Sequence, residues 1–193
     1  MTFNDRSTAA TLLATRRSGK ARDMIAPGPD AATLAAMLAT AARVPDHGKL
    51  NPWRFVTIAA DRRDAFADLL EAAYRIDKPE PGRTELDAVR GFALQAPTLV
   101  VVMSTPVSSH IPRWEQELSA GAACALLCAA ASAHGFVANW LTGWAAYAPA
   151  VVQGLGGGED DRVAGFVFIG TQSRALDERP RPRLQDVVRA WNG

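Results

Sequence analysis

Four short segments concentrate the side chains that could do chemistry. The first is Arg16-Arg17-Ser18-Gly19-Lys20, with two guanidinium groups, a hydroxyl and an ammonium close together in the chain. A guanidinium offers a planar fork of donors to phosphate oxygens, a serine a neutral donor and a lysine a point charge. The segment is a candidate phosphate site; it also reads as a solvated basic turn closing a first helix, where the dipole favours cations. The second is Arg43-Val44-Pro45-Asp46-His47-Gly48-Lys49-Leu50-Asn51-Pro52-Trp53, the densest polar stretch of the chain. Two prolines stiffen it, and Arg43, His47, Lys49 and Asn51 bring donors of different kinds. A rigid connection leading into a strand suits the rim of a ligand site, and an irregular Asp/Asn turn would look the same. The third, Pro112-Arg113-Trp114-Glu115-Gln116-Glu117, opens a helix with proline at its start and carboxylates in its first turn, as the dipole prefers. The fourth, Trp140-Leu141-Thr142-Gly143-Trp144, closes a strand with two indoles. Main-chain groups freed at a strand end can hydrogen-bond a heterocycle, and aromatic rings can border it.

Other patterns exclude whole classes of chemistry. Gly154-Leu155-Gly156-Gly157-Gly158 is not a dinucleotide loop: Glu159 stands where the last glycine should be, and a strand follows instead of a helix. There is no G-x-S-x-G nucleophile elbow. His47, His110 and His134 lack metal-ligand spacing. Cys124 and Cys128 are four apart in an alanine-rich stretch, so they share a helix face and read as buried, inert thiols. With no apolar leader at the N-terminus, a reducing cytoplasm is the expected compartment. Leu118–Ala133 carries no charge but is shorter than the ~20 residues a spanning helix needs, so it reads as a buried central helix and no membrane is expected.

The elements that must position these segments follow from periodicity and punctuation. Helices are predicted over about 5–15, from an Asp30 cap to about Arg43, from an Asp61 cap to about Arg75, from Thr84 to about Gln95, over 112–134 with Gly135 as C′ residue, over 148–153, and over about 184–191. Strands are predicted at 54–59, at the β-branched run 98–103, at 136–142 and at 162–169. The chain has 193 residues, is 48% hydrophobic and has a net charge of +1, which argues against disorder and against a nucleic-acid binder built on Arg174–Arg189. No repeat or linker divides it, so residues 1–193 are expected to form one three-layer α/β or α+β domain.

Taken together, the segments resemble the nitroreductase family of flavin enzymes, in particular its compact branch of NAD(P)H nitroreductases. The resemblance runs from near Leu12 to about Val188. It rests on Arg16-Arg17-Ser18-x-Lys20, on Arg43-x-Pro45-Asp46-His47 followed by Asn51-Pro52-Trp53, on Pro112 through Gly121, on Gly135-Phe136 with Trp140, and on Gly165-Phe166 with Gly170-Thr171. It implies an α+β fold with a mainly antiparallel sheet flanked by helices, assembled as an intertwined homodimer with one FMN per subunit at the interface. Arg16, Arg17, Ser18 and Lys20 match the family's segment around the FMN phosphate and ribityl chain. Arg43, Pro45, Asp46, His47 and Lys49 match the loop that reaches the flavin from the other subunit. Trp140, Leu141 and Thr142 match the stretch beside the ring, although the closest look-alikes carry a basic residue at Leu141. Arg181 matches a C-terminal basic residue on the phosphate, with Arg179 and Arg183 as alternatives.

The implied activity is FMN-dependent oxidation of NAD(P)H in a ping-pong cycle, with a nitroaromatic, quinone or similar small molecule as acceptor. No catalytic side chain and no metal are expected, since the cofactor carries the reaction. The alternative is a non-catalytic flavin-binding or sensor protein of the same fold. Of the three lysines, Lys20 and Lys49 fall in the implied flavin segments and Lys78 does not.

Overall fold

The computed structural model describes residues 2–192. Its elements run α1 (Ala9–Thr15), β1 (Met24–Ile25), α2 (Ala31–Ala41), β2 (Trp53–Ile58), α3 (Arg63–Asp77), α4 (Arg83–Ala93), β3 (Thr98–Ser104), α5 (Arg113–Ala133), β4 (Val137–Leu141), α6 (Trp144–Tyr147), α7 (Pro149–Gly154), β5 (Arg162–Gln172) and α8 (Leu184–Val187).

The continuous apolar run of β3 requires cover on both faces, because alternate side chains leave a strand on opposite sides. Leu99, Val101 and Met103 join Phe166 and Phe168 of β5 in a core with Phe66, Leu70 and Ala93 of α3 and α4. Val100 and Val102 join Val167 and Ile169 in a second core with Met37 of α2 and with Cys124, Leu127 and Cys128 of α5. The result is a sheet between two helical layers. Every strand pair is antiparallel: β5 pairs with β3 along one edge and β4 along the other, then continues past both to meet β1 at Ile25↔Thr171. β2 closes the far side through β3, and among the described residues β4 pairs only with β5.

Local chemistry explains where elements depart from the periodicity. The first helix starts at Ala9 because Thr8 is its cap, accepting the Thr11 N–H at 3.0 Å, while Asp5 is occupied by the Ser7 N–H. Asp61 does not cap α3. It lies in a 3₁₀ turn (Ala60–Arg62), and the helix begins at Arg63, whose guanidinium is buried. Asp30 caps α2 as predicted, through the Thr33 N–H at 2.7 Å. β1 and α6 are too short to show a period. The last helix stops at Val187 because its apolar side chains have nothing to pack on: Leu184, Val187 and Val188 are exposed, and Trp191 is 91% exposed.

α5 is the one helix, among the described residues, long and apolar enough to cross a membrane, and 56% of its apolar window is buried inside the fold. Small residues let it lie close against the sheet. Burial in this layer pushes the Cys124 thiol up to about 12 and the Cys128 thiol up to about 11. Neither thiolate forms near neutral pH, so neither cysteine should react with a thiol reagent in the folded protein, and both should react once it is denatured. Rapid native labelling of either would show that the helix opens.

Candidate functional site

The segment after α1 crosses one end of the sheet and lies against β4. Gly19 allows this approach: a Cβ there would meet Val137 Cγ2 at 3.0 Å. With the main chain held so close, Arg17, Ser18 and Lys20 open onto a cavity of about 660 Å³. Its floor is one face of β4, through Val137, Asn139 and Leu141, and its far wall is the tail from Gln172 to Arg179. Arg22, Arg174 and Arg179 add cations, while Asp23, Asp177 and Glu178 add carboxylates.

Arg17 organises this site. Its backbone N–H donates to Asn4 Oδ1 at 2.8 Å, and Asn4 Nδ2 donates back to the Arg17 carbonyl at 3.3 Å. Its side chain is buried, with Nε and Nη2 both donating to the Asp177 carbonyl and Nε 3.1 Å from Glu178 Oε1. Lys20 Nζ is exposed, 3.6 Å from Asp177 Oδ2. Arg16 is outside the lining: Nη1 lies 3.4 Å from Ser18 Oγ, and its charge is felt by Cys128 on α5.

These residues fit a phosphate-bearing heterocycle. The volume lies within the usual range of about 300–1,000 Å³ for small-molecule sites. One end supplies convergent cationic and hydroxyl donors suited to phosphate. The floor is apolar at Val137, Leu141 and Met24, and it includes the Asn139 amide. Among the described residues β4 pairs only with β5, so its other edge presents main-chain donors and acceptors outside the sheet.

Strand alternation separates the residues of the fourth segment. Leu141 faces the cavity with Asn139. The Trp140 indole lies on the opposite face, where Nε1 donates to the Ala164 carbonyl at 3.0 Å and the ring covers Gly165. Thr142 lines a separate apolar groove. The loop carrying Arg43, Pro45, Asp46, His47 and Lys49 is outside the cavity lining of this chain. It docks on the first turns of α5: His47 Nδ1 is 2.6 Å from Glu115 Oε2, and Ser119 Oγ donates to the Pro45 carbonyl at 2.7 Å. Asp46 holds the loop shape by accepting the Leu50 and Asn51 N–H groups at 3.1 and 2.8 Å. Gly48, Lys49 and Asn51 all have positive φ. In the tail, Arg179 lines the cavity. Arg181 is outside that lining, 3.8 Å from Glu178, and Arg183 pairs with Asp186.

Sequence reasoning did not assign Asn139, Arg22, Arg174 or the Asp177-Glu178 pair to this site. Period-two spacing from Leu141 would have found Asn139; the tail residues have no regular element to carry a signal.

Fold and site together define an α+β protein with a cavity lined by several cations at the edge of an antiparallel sheet. The Nitroreductase family model matches residues 13–171. The protein named "Putative NAD(P)H nitroreductase YdjA" of Escherichia coli strain K12 is 35% identical over 168 residues, covering 84% of this chain and 87% of its own. A nitroreductase-like family protein from Bacillus cereus superposes with a TM-score of 0.81 at 21% identity, covering all of both chains. An FMN and NADPH-dependent nitroreductase, NfnB from Sphigopyxis sp. strain HMH, superposes at 0.72 with 22% identity, covering 96% of this chain and 99% of its own. The chain therefore belongs to the nitroreductase family, and these structures share its fold.

Proposed function

We propose that the protein is an FMN-dependent NAD(P)H oxidoreductase acting as a homodimer, with a small electron acceptor as second substrate. One observation carries the reading: a single cavity joins the Arg17-Ser18-Gly19-Lys20 cation cluster to the face of β4 that carries Val137, Asn139 and Leu141. When bound, FMN would supply the redox chemistry, hydride acceptance from NAD(P)H and electron delivery to the acceptor. The chain's own residues bind and orient. Arg17, Ser18 and Lys20 hold the phosphate, with Arg179 from the tail, and Asn139 and the β4 edge meet the ring. Donors near a developing negative charge stabilise it without reorganising.

The loop 43–49 fits a role across a subunit interface. Within its own chain it stays outside the cavity, and Arg43, His47 and Lys49 are exposed, His47 against Glu115. Exposed Trp114 and Leu118 on α5, with Trp140 on β4, offer apolar surface for a second copy. In such a dimer Arg43, Pro45, Asp46, His47 and Lys49 would approach the partner's cavity.

The test is direct. Purified protein should be yellow, or take up one FMN per chain, and lose its flavin colour anaerobically with NADH or NADPH. Initial velocities should give the parallel lines of a ping-pong cycle. A colourless protein that takes up no FMN overturns the reading, and colour without turnover favours a non-catalytic flavin protein. Within the site, Lys20→Ala should weaken FMN retention by a few-fold, on the order of 1 kcal/mol for an exposed charge contact. Lys78→Ala should not, because its ammonium is 2.6 Å from Glu85, away from the cation cluster. Equal retention in both variants would remove Lys20 from the site.

A further inference from the structure

Glu115 stands in the first turn of α5, outside the cavity, where the helix dipole alone would account for a carboxylate. The dipole does not account for its partner. Glu115 Oε2 is 2.6 Å from Nδ1 of His47, 68 positions away in the chain. Nor does the loop depend on this contact for its shape. Ser119, one turn further along α5, donates to the Pro45 carbonyl at 2.7 Å and accepts from Trp53 Nε1 at 3.2 Å. Asp46 accepts the Leu50 and Asn51 N–H groups. Gly48 lies against buried Ile111, where a Cβ would meet Cγ1 at 3.3 Å. An exposed ion pair adds little stability to a loop already fixed in these ways. What the contact does settle is the ring. Arg113, on the same turn of α5, is taken up by Glu117 and Asp160, and among the described residues no lysine or arginine pairs with Glu115. An ionised carboxylate only accepts, so the hydrogen in this contact sits on Nδ1. A neutral imidazole then carries a bare lone pair at Nε2, which has no partner among the described residues.

We propose that Glu115 is a positioning residue: it holds His47 as the Nδ1–H tautomer and so presents Nε2 as a hydrogen-bond acceptor to a flavin bound in the partner subunit. The inference rests on the flavin and dimer readings proposed above and adds a residue to them. A carboxylate that orients an imidazole through one ring nitrogen sets what the other nitrogen can do. A free imidazole favours the opposite tautomer, Nε2–H, so the carboxylate is what selects this one. Phosphate oxygens only accept, and a bare Nε2 does not suit them. It suits a ribityl hydroxyl or the ring N–H of a flavin, which donate.

The test reads the ring directly. Protein isotope-labelled at nitrogen in its three histidines is followed by long-range proton–nitrogen correlation, without and with FMN, at about pH 8, where ordinary imidazoles are neutral. His47→Ala assigns the signal. The parent should show Nδ1–H, with the Nε2 resonance shifting on FMN loading. Glu115→Ala should return the ring to Nε2–H. It should also raise the Kd for FMN and for riboflavin alike, roughly threefold to tenfold, the loss of one hydrogen bond. His47→Ala should cost as much, and the double variant no more than either, because both act through one contact. The melting temperature of Glu115→Ala should stay near the parent's. Ser119→Ala is the control for loop anchoring alone and should leave the tautomer at Nδ1–H. An Nε2–H tautomer in the parent, additive losses, or a loss confined to FMN overturns the assignment to Glu115. Failure of the readings it rests on shows separately: a parent that takes up neither flavin, or that sediments as a monomer with flavin bound, overturns those readings and the role of Nε2 with them.

Discussion

Arg63→Ala should lower the stability of the folded chain by about 3–5 kcal/mol, the sum of three buried carbonyls losing their donor at about 1–3 each, less the cost of keeping a cation buried. A loss of that size should lower the melting temperature by roughly 10 °C in a chain this long. Arg63 is 6% exposed, yet no carboxylate among the described residues pairs with it. Its Nη1 donates to the Ala93 carbonyl at 2.7 Å, and its Nη2 donates to the Gln95 and Ala96 carbonyls at 3.0 and 2.8 Å. These are carbonyls that the end of α4 leaves without partners, in a turn where Ala96 is held at positive φ. Burial alone pushes the guanidinium down to about 10, and Nε has no partner, so the group is costly to keep. Because it stays charged at neutral pH, the forked donor set must outweigh that cost. Arg63→Met separates the two contributions: it fills space but donates nothing. It should recover little of the loss if hydrogen bonds dominate, and most of it if packing does. Thermal unfolding of parent and both variants reads the difference. The consequence reaches the site, since Gln95 sits on the cavity wall and Pro97 packs against Gly28 and Gly170 at the start of β3.

Arg63 also shows where the sequence was legible and where it was not. The periodicity of α3 is plain, but nothing local says that its first residue turns inward to cap a helix thirty residues later. Asp61 therefore looked like the cap. Long, strongly patterned elements such as β3 and α5 were readable because their burial is their pattern. β1 is a two-residue strand that exists only because β5 runs three residues beyond the apolar core to meet it. The site divides in the same way. Arg17, Ser18 and Lys20 stand out as a chemical cluster. Asn139 is hidden inside a strand, and Asp177 and Glu178 are hidden in an irregular tail, because their roles come from contacts 160 positions away in the chain. The same alternation that brings Asn139 and Leu141 to the cavity turns the Trp140 indole to the other face.

Arg17→Met should weaken FMN binding by roughly 10²–10³-fold, the loss expected when one member of a buried, hydrogen-bonded charge pair is truncated. The backbone of the segment should survive, because Asn4 holds the Arg17 N–H and carbonyl independently of the side chain. Two contributions could produce the loss. Arg17 can serve the phosphate directly, and it also ties down the tail through Asp177 and Glu178. Riboflavin, which lacks the phosphate, tells them apart. If Arg17 acts on the phosphate, Arg17→Met should lower FMN affinity and leave riboflavin affinity nearly unchanged. If it acts only by anchoring the tail, both ligands should weaken together. Arg17→Lys should recover only part of the FMN affinity, since a point charge cannot reproduce the fork. Glu178→Gln supplies the opposite sign. A carboxylate 3.1 Å from the Arg17 Nε opposes a phosphate dianion arriving at the same guanidinium, so neutralising it should tighten FMN binding while leaving riboflavin untouched. Fluorescence titration with both flavins across the parent and three variants measures all of these effects. Tighter riboflavin binding in Glu178→Gln would mean that the acid shapes the cavity and does not compete for the cation.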